Sequence, residues 1–159
     1  MAIRNIVVSV AGAPGSLVTA KYAIALSKLL GAKLTALYVV NEKVLHELLH
    51  TRIFVEAEAQ AYARDMEQQG KSFLERLQKM AEQKGVPYEG FLLKGVISDE
   101  VINKTKAVQA DMLVIGELRE VTSVSQLFYD EGERIFRKSH CPVVMVRDQA
   151  MVEALFKEI

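Results

Sequence analysis

One cysteine in 159 residues, Cys141, excludes an intrachain disulfide and any site built from several thiolates, and it suits a reducing compartment. Charge of one sign is equally scarce. Twenty basic residues stand against twenty acidic ones, so the cationic field that nucleic acid or an anionic membrane would call for is missing. No apolar run approaches the roughly 18–20 residues that cross a bilayer, and the opening "MAIRNIVVSV" enters a strand-like segment directly, without a signal-peptide layout. Linkers, low-complexity tracts and internal repeats are absent as well. These absences predict a cytoplasmic, single-domain protein that contacts neither nucleic acid nor membrane. At 17.7 kDa and half apolar, such a chain closes a core without staples or metal.

What is present is an alternation. Runs rich in Val, Ile and Leu fall at 3–10, 33–40, 111–116 and 141–147, with a weaker one at 88–95; near-continuous apolarity marks strands buried on both faces of a parallel sheet. Helical spacing fills the gaps. A helix is predicted from Leu17 to Leu30 with Gly31 as its stop. A second runs from Val55 to Ala81, about 27 residues and about 40 Å long, with a stripe through Val55, Ala59, Tyr62, Met66, Gly70, Leu74 and Leu77. Another should start at Ser98 or Asp99, and one more near Asp130, since these are good N-caps. This order builds a doubly wound α/β domain over 1–148, with helices on both faces of the sheet. Residues 149–159 then form an amphipathic tail, whose Val152, Leu155, Phe156 and Ile159 need a surface on their own domain or on a partner chain.

Residues 46–50 read "HELLH". Two histidines four apart share a helix face and can grip zinc while the glutamate polarises its water. A catalytic zinc needs a third ligand, yet the remaining histidine is His140, beside the last strand, and Lys43 and Arg52 flank the pattern where uncharged residues are usual. Val44, Leu45, Leu48 and Leu49 make an ordinary apolar stripe with His46 and His50 at its border. The expected metal site is therefore none, and a zinc hydrolase through His46, Glu47 and His50 is the third-ranked reading. Cys141 reads as core, Asp99 and Glu100 as helix-starting acids, and "GAPG" at 12–15 as a turn.

Four segments in order, "IVVSVAGAPGS", "AKYAIALSKLLGAKLTALYVV", "KGVISDEVINKTKAVQADMLVIGE" and "GERIFRKSHCPVVMVRD", resemble the universal stress protein family over almost the whole length. The resemblance implies a five-stranded parallel sheet ordered 3-2-1-4-5. It also implies a homodimer joined through the last strand, here Val143, Val144, Met145 and Val146, and in one subgroup an ATP site. In open sheets of this kind the ligand crevice opens at the carboxyl ends of the strands where the winding reverses, so Ala11, Gly12, Val40 and Gly116 should border it.

The family's ATP binders carry G-x2-G-x9-G-S/T after the fourth strand, glycines that let backbone N–H groups and a helix N-terminus approach the phosphates. Here "GELREVTSVSQLFYDEGE" retains Gly116, while Arg119, Tyr129 and Asp130 occupy the other three positions. Ala11 stands where those binders end the first strand in an aspartate. Asp130 is expected to cap its own helix with Glu133 as the reciprocal partner. A carboxylate about 5 Å from a phosphate costs about 3 kcal/mol per charge pair at an effective dielectric near 20, and Glu131 would add to it.

The leading expectation is thus a dimeric, noncatalytic stress-response or regulatory protein with no cofactor. It would present its surface, including 42–60, to a regulatory protein partner, and would not bind ATP in the family's usual mode. The alternative is a nucleotide-binding member whose altered crevice, Gly12, Val40, Gly116, Arg119, Ser123 and Ser125, takes ATP, AMP or another adenylated ligand.

Overall fold

The computed structural model of the chain describes residues 2–10, 15–116 and 123–159, the helix over 123–130 by its backbone. Strand β1 (Asn5–Val10) leads to helix α1 (Ser16–Leu30), β2 (Lys33–Asn41), α2 (Glu42–His50), α3 (Glu56–Gln83) and β3 (Tyr88–Gly95). There follow α4 (Ile97–Ala107), β4 (Met112–Gly116), α5 (Ser123–Lys138), β5 (Val143–Val146) and α6 (Gln149–Glu158). The five strands form one parallel sheet in the order β3-β2-β1-β4-β5.

The period-two alternation of β1 divides the core. Ile6, Val8 and Val10 point to a layer shared with Ala20, Ile24, Leu74, Leu77, Ala81 and Val152 from α1, α3 and α6. Val7 points the other way, with Leu37, Val101, Leu113 and Ile135, to the layer of α4 and α5. Both faces of β1 and β2 are therefore dry, which is what their unbroken apolar sequence requires. Asp111 ties the sheet's lower edge, its Oδ2 accepting from the Arg4 and Asn5 N–H groups at 2.8 and 2.9 Å.

Helix α1 ends as its sequence predicts, with Gly31 in the left-handed region at φ 65° and its N–H on the last carbonyls. Helix α3 spans 28 residues, about 42 Å, and its buried positions are Ala59, Gly70, Leu74, Leu77 and Ala81. The predicted stripe fails at its upper end, where Val55 and Tyr62 are 62% and 36% exposed. That end has no sheet beneath it, because α3 is much longer than the strand beside it. At Gly70 the neighbours leave no room for a side chain: a Cβ there would lie 2.7 Å from both Leu92 Cδ1 and Tyr38 Cδ1.

Two helix starts differ from expectation. Helix α4 begins at Ile97 after Val96, with no capping side chain at its N-cap, so Ser98 and Asp99 lie inside its first turn. Its cap comes from elsewhere: Glu131 Oε2 accepts the Ser98 N–H at 2.6 Å. Helix α5 begins at Ser123, so Asp130 and Glu133 are interior positions and not its start, and the Asp130 side chain lies outside the described residues.

The tail packs on its own domain. Val152 of α6 is fully buried, and Lys21 of α1 donates to both carboxylate oxygens of Glu153 at 2.9 and 2.8 Å.

Candidate functional site

The winding reverses at β1, between β2 and β4, and the elements that meet at this point are the carboxyl ends of the strands and the amino end of α1. Gly116 closes β4 two residues past Val114, which pairs with Val8, while Val10 pairs with Tyr38 of β2. Val40, two residues farther along β2, is 1% exposed. Its side chain is therefore closed off from solvent.

Gly15 supplies the turn into α1 at φ 97°, and the first turn of α1 carries no acidic residue and no side-chain cap. Thr19, buried at 3% exposure, donates through Oγ1 to the Gly15 carbonyl at 3.1 Å. A Cβ on Gly116 would come to 3.0 Å from that same Oγ1. Glycine at 116 therefore allows the first turn of α1 to sit against the end of β4. The turn expected at 12–15 includes Gly15, whereas the sequence assigns no role to Thr19.

Ser123 and Ser125 occupy the first turn of α5, which likewise contains no acidic residue. Gly12 and Arg119, with Ala11, lie outside the described residues. Glu131 does not face an incoming anion as the sequence reading supposed. Its side chain is 5% exposed, bound to the Ser98 N–H and to Arg134 Nη1 at 3.0 Å. Asp130 and Glu131 both lie seven or more residues into α5 and not at its start.

Two features lie away from the crevice. An open trough of about 440 Å³ follows α3, lined by Asp65, Gln68, Gln69, Ser72, Phe73 and Arg76, none of them an expected crevice residue. Beneath the α2–α3 arm, the Tyr38 and Phe73 ring centroids are 6.3 Å apart and those of Phe54 and Tyr62 are 5.6 Å apart. Burial, with Tyr62 nearby, raises the Tyr38 phenol above its ordinary value and keeps it neutral. His46, Glu47 and His50 are all exposed on α2. Among the described residues, no three His, Cys, Asp or Glu side chains are grouped so as to hold a metal ion.

A sequence profile of the Universal stress protein family matches residues 2–147. The chain belongs to the universal stress protein family. One relative of this universal stress protein is universal stress protein MJ0531 of Methanocaldococcus jannaschii, 28% identical over 144 residues, 91% of this chain and 82% of the relative. Among solved structures, protein MJ0577 superposes with a TM-score of 0.73 at 16% identity, covering 93% of this chain and 98% of the other. A universal stress protein solved in complex with cAMP gives 0.64 at 20% identity, covering 92% and 98%. These likenesses carry the fold: a five-stranded parallel sheet in the order 3-2-1-4-5. No described helix of this family member is long and apolar enough to cross a membrane.

Proposed function

We propose that this universal stress protein is a cytoplasmic, noncatalytic stress-response regulator that works as a homodimer and does not hold ATP in the family's usual mode. The observation that carries the reading is the start of α5 at Ser123. In the ATP-binding motif the stretch up to the third glycine is loop, free to wrap phosphates. Here Ser123 to Asp130 are helical, so Tyr129 and Asp130, at the motif's last two positions, are built into α5. Dimerisation through β5 is supported by its place at the sheet edge, with Val143 and Val144 half-buried and Met145 36% exposed. An apolar edge strand left bare would template aggregation. The α2–α3 arm, with Leu49, Ile53 and Val55 exposed, is the surface offered to a regulatory protein partner.

A second reading is favoured by one specific observation. The first turns of α1 and α5 are both free of acidic residues, so their partial positive charges are not cancelled locally. An adenine nucleotide with a single phosphate would then settle between Gly116, Val40, Ser123 and Ser125, with Gly12 and Arg119 completing the site. Calorimetric titration separates the two readings. Magnesium-ATP binding tighter than about 10 micromolar, about 7 kcal/mol, defeats the first. Saturable AMP or cAMP binding that weakens when Ser123 and Ser125 become alanine establishes the second.

A further inference from the structure

Helix α6 lies beyond the family profile, which ends at residue 147, yet it is fastened along its length. Val152 is fully buried, and Glu153 receives both of its hydrogen bonds from Lys21. The Phe156 ring lies 5.5 Å from Lys21 Nζ and 4.7 Å from Lys84 Nζ, and Lys84 Nζ also donates to the Ile159 carbonyl oxygen at 3.1 Å. Lys21 belongs to α1, and Lys84 is the residue that closes α3. A second copy of the chain would present the same anchors in the same arrangement.

The connection from β5 to α6 is residues 147 and 148, and Asp148 is held at φ 65° and ψ 76°. A residue with a Cβ enters this left-handed region at a cost, though aspartate less than most. The turn is kept by the Asp148 carboxylate, which accepts the Met151 N–H at 3.1 Å. A short, strained hinge before a terminal element invites exchange of that element between copies. Straightening residues 147 and 148 removes the positive φ and directs α6 onward from β5, away from its own α1.

We propose that α6 exchanges between two copies of this chain, each α6 docking through Val152, Glu153 and Phe156 on the α1 and the α3 terminus of the other. Exchange requires no pairing of β5 with β5, so the two ideas fail separately. Lys21→Glu and Glu153→Lys each set like charges across the α1–α6 contact. In an equimolar mixture, only exchanged helices restore opposite charges at both contacts.

Hydrogen exchange of the α6 amides, read alongside native mass spectrometry of differently tagged copies, tests this. Protection of α6 is expected to fall about tenfold in either variant alone and to return in the mixture within a one-to-one heterodimer. The double variant, its pair reversed within one chain, should regain protection unaided and shows that the substitutions are tolerated. A heterodimer whose α6 stays unprotected is joined by β5 alone and overturns exchange. So does a mixture with no heterodimer, and so does α6 protection that neither single variant lowers.

Discussion

Glu131 Oε2 lies 2.6 Å from the backbone nitrogen of Ser98, so a carboxylate on one helix caps the amino end of the helix packed beside it. Glu131→Ala leaves a buried N–H unpaired and should lower stability by about 1–3 kcal/mol, which in a domain of this size is several degrees of melting temperature. Glu131→Gln retains a carbonyl acceptor and should lose less. Thermal melts of the two variants check this, and identical melting points for wild type and Glu131→Ala would remove the cap from the account of α4.

Gly70 reverses a usual rule. Replacing an interior helix glycine by alanine ordinarily gains about 1 kcal/mol from propensity. Here the added methyl meets Tyr38 and Leu92 at 2.7 Å, so Gly70→Ala should destabilise, by about 1–3 kcal/mol. Urea unfolding gives the sign directly, and a rise in midpoint would show that α3 can back away from the sheet.

Asp111 predicts an acid limb. The Arg4 and Asn5 N–H groups hold its carboxyl below the ordinary 3.8, and a depressed folded value stabilises the charged form. That contribution is fully present above 3.8, declines as pH falls below it, and is gone once pH passes the lowered folded value. Asp111→Asn keeps an acceptor but not the charge. Its urea midpoint should lie below that of wild type at pH 7 and converge with it in strong acid. A gap that stays constant down to pH 2 would contradict the assignment.

Met145→Asp places a charge on the exposed side of β5. If copies pair there, light scattering should show dimer for wild type and monomer for the variant at micromolar concentration, with the melt little changed. A wild-type monomer under the same conditions disposes of β5 pairing.

The sheet order was implied by the family resemblance, whereas most element bounds were legible from local pattern: two-faced apolar runs, helical stripes and Gly31 as a stop. The start of α4 was not. Its cap, Glu131, stands 33 residues downstream, whereas Ser98 and Asp99 offered a local signal that the fold does not use. For α5, Asp130 and Glu133 have capping-box spacing in the family motif's frame, yet the helix begins seven residues earlier, at Ser123. Val40 and Gly116 could be placed near the carboxyl ends of β2 and β4 from the apolar runs alone. The role of Thr19 depends on a contact across elements, which no single stretch of sequence contains.

The length of α3 has a last consequence. About 42 Å of helix stands against a strand of eight residues, about 26 Å, so its first turns and α2 project past the sheet like a handle. A limited protease should cut first between Thr51 and Val55, and the nicked chain should keep its sheet, because Leu74, Leu77 and Ala81 anchor the far end of the same helix.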